Sequence, residues 1–206
     1  MKATSINWAL ILGGSSGLGL ASAKKLAKEG FNVCIVHRNS REEMKSIAGS
    51  FDEIRQNNIQ FLSFNADAAN PEKIKGIVAE LKEKIGEGNL KCMVHSIARG
   101  NLKSMLNESG SELQKNDFTV TLDYMALSLY DWVKCIFQAN IFTTDARVIS
   151  FTSSGNKKAY KGYAAVSVAK VALEAITRNI AVEFAPHGIR ANCIQAGVTD
   201  TASFRM

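Results

Sequence analysis

Tyr163 and Lys170 stand seven positions apart, in a stretch with helical periodicity. That interval is nearly two helical turns, so the two side chains share a face. A phenol is a poor acid–base group near neutrality, with a pKa of about 10. A neighbouring ammonium favours the phenolate and lowers that value. A phenol tuned in this way can hydrogen-bond or protonate a carbonyl oxygen while hydride arrives from a nicotinamide. Just upstream, the apolar run Arg147–Phe151 ends in Thr152, Ser153 and Ser154, which brings hydroxyl groups toward the same helix. By itself a Tyr/Lys pair would be an ordinary amphipathic helix. Its setting downstream of a glycine-rich turn and a serine-rich strand end makes Tyr163, Lys170 and Ser153 the candidate catalytic residues.

The glycine-rich turn is Gly13-Gly14-Ser15-Ser16-Gly17-Leu18-Gly19, placed between an apolar run and a helix rich in Ala and Lys. Glycine allows the backbone to turn tightly and approach a pyrophosphate, whose charge then sits at a helix N-terminus. Gly13, Ser15, Ser16, Gly17, Leu18 and Gly19 are therefore candidate dinucleotide contacts. The second apolar run ends Val36-His37-Arg38-Asn39-Ser40-Arg41. An NAD site places an acid there for the ribose hydroxyls. None is present, and Arg38 and Ser40, with Arg41 beside them, could meet a 2′-phosphate instead. NADP(H) is preferred over NAD(H) on this ground, against a plain solvated basic loop.

The elements that must position these groups follow from hydrophobic patterning. Strand-like runs occupy 8–12, 31–36, 59–64, 90–95, 147–151 and 189–194, several apolar on consecutive residues, as strands covered on both faces are. Helix-like stretches lie at 17–29, 41–57, 71–85, 112–139 and 163–185. Asn70-Pro71 reads as a helix cap followed by proline at the first helical position. Six β units with helical crossovers predict an α/β fold with a doubly wound parallel sheet.

Composition narrows the function classes. The 206 residues are 46% hydrophobic and 21% charged, which excludes a disordered or low-complexity chain. A net charge of +6 suits an anionic cofactor or partner but lacks the dense basic stripe of a nucleic-acid binder. Cys34, Cys92, Cys135 and Cys193 have no metal-pair spacing and read as reduced thiols. No metal site is expected. The longest early apolar run, 8–12, is too short to span a bilayer. The expectation is a cytoplasmic protein with neither a membrane nor a nucleic-acid partner.

The Gly-x-x-x-Gly-x-Gly spacing resembles the short-chain dehydrogenase/reductase family. Most members carry Tyr-x-x-x-Lys with a serine thirteen residues before the tyrosine. With Lys170 as the family lysine, the usual tyrosine position is Val166, and Ser153 stands thirteen residues before it. The tyrosine is instead three residues earlier, giving Tyr-x6-Lys, the arrangement of the enoyl-acyl-carrier-protein reductases. In one branch of that group the residue matching Ser153 is a second tyrosine; the Ser-rich turn here looks like another branch. His95-Ser96-Ile97-Ala98 is similar to the His-Ser-Ile-Gly stretch of enoyl reductases, and Asp123 falls where many ketoreductases carry Asn. Residues 189–201 resemble the run after strand six, in which Val198 would contact the carboxamide and Thr201 would lie near the phosphates. Asp67, with Ala68 beside it, resembles the adenine-contacting acid, although Asp67 could equally cap a helix. Leu12, where threonine is common, and Arg99-Gly-Asn-Leu depart from the family pattern.

The resemblance implies a Rossmann-type sheet of order 3-2-1-4-5-6. It implies one NAD(P)-binding domain over 1–206, without the substrate-covering segment and seventh strand common in the family. It implies hydride transfer to C3 of a trans-2-enoyl thioester in fatty-acid synthesis, with Tyr163 stabilising the enolate oxygen. Lys170 would hold the nicotinamide ribose, Ser96, Ile97 and Ala98 would line the cofactor, and Ser153 could orient substrate or water. Acyl carrier protein is acidic, so Lys157, Lys158 and Lys161 could form a docking surface or merely aid solubility. A homotetramer or dimer is implied. The competing readings are a 3-oxoacyl-acyl-carrier-protein reductase or other carbonyl reductase, and a non-catalytic NADP-binding sensor.

Overall fold

The computed structural model describes residues 7–106, 110–197 and 199. Six parallel strands form one sheet in the order β3-β2-β1-β4-β5-β6. They are β1 (Trp8–Leu12), β2 (Asn32–His37), β3 (Phe61–Asn65), β4 (Leu90–His95), β5 (Phe142–Thr152) and β6 (Ile189–Gln195). The helices are α1 (Gly17–Lys28), α2 (Arg41–Arg55), α3 (Pro71–Ile85), α4 (Lys115–Leu122), α5 (Ser128–Gln138) and α6 (Ala164–Glu183).

The consecutive apolar residues of β1 are explained by a core on each face. Trp8, Leu10 and Leu12 join the cluster that includes α3, α5 and α6, whereas Ala9 and Ile11 join the one under α1 and α2. Alternation of side chains across the strand thus buries all five residues. Trp132 of α5 is fully buried and donates its indole N–H to the Ala68 carbonyl at 2.8 Å, which ties α5 to the loop after β3. Asn70 caps α3 as its sequence predicts, accepting from the Glu72 and Lys73 amides.

Two elements differ from expectation. β5 begins at Phe142, five residues before the predicted run. Its first half is polar because Asp145 there binds Lys91, Arg147 and Arg190 at 2.9, 2.6 and 2.9 Å. Arg147 and Lys91 hold the Asp145 carboxyl well below its ordinary pKa, Arg147 most of all. The predicted helix 112–139 starts later, at Lys115, and is interrupted by a π-helical turn at Asp123–Leu127. The extra residue matters to the site, because π turns re-aim the side chains around them.

Gly188 ends the short turn before β6 with φ +77°, and a Cβ there would collide with the Thr144 carbonyl. Gly49, inside α2, has open space around it. Thermal melts should therefore move in opposite directions. Gly188→Ala is expected to lose about 2 kcal/mol or more through left-handed strain and collision, and Gly49→Ala to gain about 1 kcal/mol of helix propensity.

Candidate active site

β1 and β4 are neighbours at the point where strand order reverses, beyond whose carboxyl ends ligands bind in open α/β sheets. A cleft of about 790 Å³ opens there. Its floor is the turn between β1 and α1. Gly13 has φ +79°, and a Cβ on it would lie 2.5 Å from the Ser96 carbonyl oxygen. A Cβ on Gly19 would collide with the Gly13 carbonyl, so the turn closes only with glycine at both places. Gly19 accordingly sits behind the turn, while Gly13, Ser15, Ser16, Gly17 and Leu18 line the cleft. Ser16 is the N-cap of α1, but its side chain makes no capping bond, and the first turn contains no acid. The positive end of α1 is therefore uncompensated by the protein's own groups, as a site for an anion requires.

Opposite the turn stand the residues after β4 and β5. Ser96, Ile97 and Ala98 line the cleft. His95 just before them is buried, and desolvation, helped by the Lys170 charge, pushes its pKa down to about 3. Its Nε2 lies 2.8 Å from Ser128 Oγ, which itself donates to the Tyr124 carbonyl. Ser128 must therefore accept, and the neutral imidazole carries its proton on Nε2. This bond pins the start of α5 to the end of β4.

Tyr163 precedes the first residue of α6 and lines the cleft, with its hydroxyl 3.3 Å from Ser153 Oγ. Its ring packs on the Gly155 backbone so closely that a Cβ on Gly155 would overlap it. The Ser153–Asn156 turn is anchored from below by Glu174 of α6, which accepts from Thr152 Oγ1 at 2.6 Å and from the Asn156 amide. A second pair stands beside the first: Ser154 Oγ and Tyr160 Oη are 3.0 Å apart. Lys170 also lines the cleft; it is buried, and its ammonium donates to the Phe151 carbonyl at 2.7 Å. Desolvation lowers its pKa to about 8. Val166 is buried in a small core with Met125 and Ala169, against which the Tyr163 side chain also packs.

At the far end, Arg38, Asp67 and Ala68 line the same cleft. Asp67 accepts from the Ala69 amide at 3.0 Å and from the Tyr124 hydroxyl, and pairs with Arg38 at 3.2 Å. Asp67 thus lines the cleft and closes a local turn, and it is not the helix cap, which is Asn70. Ser40 does not line the cleft. Its hydroxyl accepts from the Glu43 amide at 3.2 Å and its own amide donates to the Glu43 carboxylate at 2.6 Å, a capping box for α2. Asp123 is exposed and off the cleft. Val198 and Thr201 lie outside the described residues. Arg99, Tyr124, Gly155 and Tyr160 were not singled out as site residues by sequence. Only Arg99 left a trace there, as part of a run that departs from the family pattern. Among the described residues no cluster of acids, histidines and cysteines could hold a metal, and no helix is long and apolar enough to cross a membrane.

A family model described as enoyl-(acyl carrier protein) reductase matches residues 13–206. The chain belongs to the short-chain dehydrogenase/reductase family. Within the family, a 1-cyclohexenylcarbonyl-CoA reductase from Streptomyces collinus is 27% identical over 195 residues, which cover 94% of this chain and 65% of that protein. A 3-oxoacyl-(acyl-carrier-protein) reductase from Staphylococcus epidermidis is 21% identical over 189 residues, covering 92% and 73%. A short-chain dehydrogenase from Burkholderia cenocepacia, in complex with NADP, superposes with a TM-score of 0.80 at 24% identity, covering 97% of this chain and 77% of that one. The chain spans about two thirds of the length of the first of these relatives.

Because burial sets the Lys170 pKa near 8, the ammonium is present below that pH and lost above it. Any activity that needs its charge should fall as pH rises through about 8. Measured as kcat/KM between pH 6 and 10, that descending limb should move to higher pH in Lys170→Arg, whose guanidinium stays charged.

Proposed function

We propose that the chain is an NADP(H)-dependent reductase of 2-enoyl thioesters, with an acyl carrier protein as the carrier that its lysine-rich turn suits. The observation that carries this reading is the division of labour on α6. Tyr163 faces the cleft beside Ser153, while Val166, where a ketoreductase of this family would place its tyrosine, is packed into the core. The shift of the phenol by three residues is supported by this arrangement, since position 163 reaches the cleft and position 166 is buried.

The cleft fits a dinucleotide on structural grounds. Glycines leave no room for side chains at the turn, the α1 N-terminus is uncapped, and the volume lies within the several hundred Å³ usual for such ligands. Ser15–Leu18 would hold the pyrophosphate, Arg38 the 2′-phosphate, and Lys170 the nicotinamide ribose. The NADP complex of the Burkholderia neighbour and the absence of an acid after β2 support the choice of NADP(H). When bound, the nicotinamide supplies hydride to C3 of the enoyl group. Tyr163 would then donate a hydrogen bond to the thioester oxygen as it becomes an enolate, which is where negative charge develops. Ser153, within reach of the same hydroxyl, orients the phenol. Lys170 adds positive charge at the cofactor side of the cleft. Lys157, Lys158 and Lys161 are exposed in the segment between β5 and α6, available to an acidic carrier.

NADPH oxidation should accompany reduction of a crotonyl thioester and not of an acetoacetyl thioester. Turnover of the acetoacetyl compound alone would replace this reading with a ketoreductase, and binding of NADPH with no turnover of any enoyl or carbonyl compound would replace it with a sensor. Tyr163→Phe should lower crotonyl turnover about a hundredfold or more while leaving NADPH binding intact.

A further inference from the structure

Four side chains from four different segments meet in the lining of the cleft. Arg38 follows β2, Asp67 follows β3, Arg99 follows β4, and Tyr124 belongs to the π turn. They converge on one atom. Asp67 Oδ2 has Arg38 Nη1 at 3.2 Å and Arg99 Nη1 at 3.8 Å, and it accepts the Tyr124 hydroxyl proton. Arg99 also donates to the Tyr124 hydroxyl at 2.5 Å and lies 4.2 Å over its ring. Two guanidiniums thus share a single carboxylate oxygen, and one positive charge is left over.

Resting on the reading that the cleft takes NADP(H), we propose that Arg99 is a second arginine for the 2′-phosphate, held on Asp67 until the phosphate replaces that carboxylate. The chemistry of the two anions favours the exchange. Asp67 offers one negative charge, already divided between two cations and a phenol. A phosphate monoester carries a charge of about −2 and three acceptor oxygens, enough for two planar guanidinium forks at once. Arg38 and Arg99 are about half exposed, at 54% and 46%, and Arg99 stands 3.8 Å from the carboxylate oxygen, so both pairings with Asp67 are weak enough to give up. Tyr124 keeps the Asp67 side of the cleft occupied when the arginines leave, because its hydroxyl remains bonded to the carboxylate. A ribose 2′-hydroxyl offers no charge to draw Arg99 away, so NAD(H) leaves the bridge closed.

This arrangement separates Arg99 from other roles it could play. An arginine that stacks on adenine or meets the pyrophosphate serves both dinucleotides alike. Only a contact to the 2′-phosphate changes the ratio between them. The test is the dissociation constants of NADPH and NADH, measured by nicotinamide fluorescence on the whole chain. Arg99→Gln should lower the NADPH preference about tenfold, the worth of one charge-assisted contact, with the loss in the NADPH constant. Arg99→Lys should restore part of it. Asp67→Asn should raise the preference, because it removes the competing carboxylate and its repulsion of the phosphate. Arg99→Gln weakening both cofactors equally, or neither, overturns the role of Arg99 while the dinucleotide site stands. A fall in preference in Asp67→Asn overturns the exchange. Wild-type protein that binds neither dinucleotide, or prefers NADH, overturns the NADP(H) reading and this inference with it.

Discussion

The turn between β1 and α1 runs against the end of β4 with no space for a single methyl group. Gly13 lies under the Ser96 carbonyl and Gly19 under the Gly13 carbonyl. That close approach brings the positive end of α1 to the edge of the sheet, and it places Ser96–Ala98 directly across from it. The two strands involved are neighbours whose helices leave on opposite faces, so the cleft is a product of topology before any side chain is chosen. Side chains then give the cleft two ends of different chemistry. One has a phenol beside two serines and a buried ammonium. The other has arginines gathered on a carboxylate.

The part of the cleft that holds Tyr163 shows how much construction lies behind one phenol. Tyr163 occupies the residue before α6, outside the regular hydrogen-bonded turns. It is fixed from one side by the Gly155 backbone and from the other by the helix that begins with Ala164. Glu174, nearly three turns into that helix, reaches back to hold Thr152 and Asn156, so the serine turn is tied directly to α6. The buried Lys170 is costly to desolvate, yet its bond to the Phe151 carbonyl at the end of β5 satisfies one of its protons.

Much of this was legible in the sequence, for identifiable reasons. β1 and β4 have the bounds that their apolar runs indicate, because both are covered on both faces, with Lys91 the one charged residue in β4. Asn70-Pro71 marks the start of α3 because capping is a local matter. Tyr163, Lys170 and Ser153 were readable through spacing along a single strand–turn–helix unit. The first half of β5 was hidden because Asp145 looks like a loop residue until its three cationic partners, from β4, β5 and β6, are known. Ser40 was read as a phosphate ligand, whereas Glu43 three residues on marks it as the start of α2, a capping pattern visible in the sequence. The bridge of Arg38, Asp67, Arg99 and Tyr124 could not be read at all, since its members come from four separate segments and no local rule brings them together.

The π turn at Asp123–Leu127 joins two halves of one helical rod. Upstream, Asp117 and Thr121 hold the loop that carries Arg99, through Asn101 and Lys103. Downstream, Ser128 holds His95. A π turn is wider than an α turn and takes up one extra residue locally, so the helix on either side keeps its phase. Both sets of bonds can therefore hang on one rod, while the irregularity is confined to the stretch that carries Tyr124. The segment works as a splice that absorbs a local misfit without passing it on to either end.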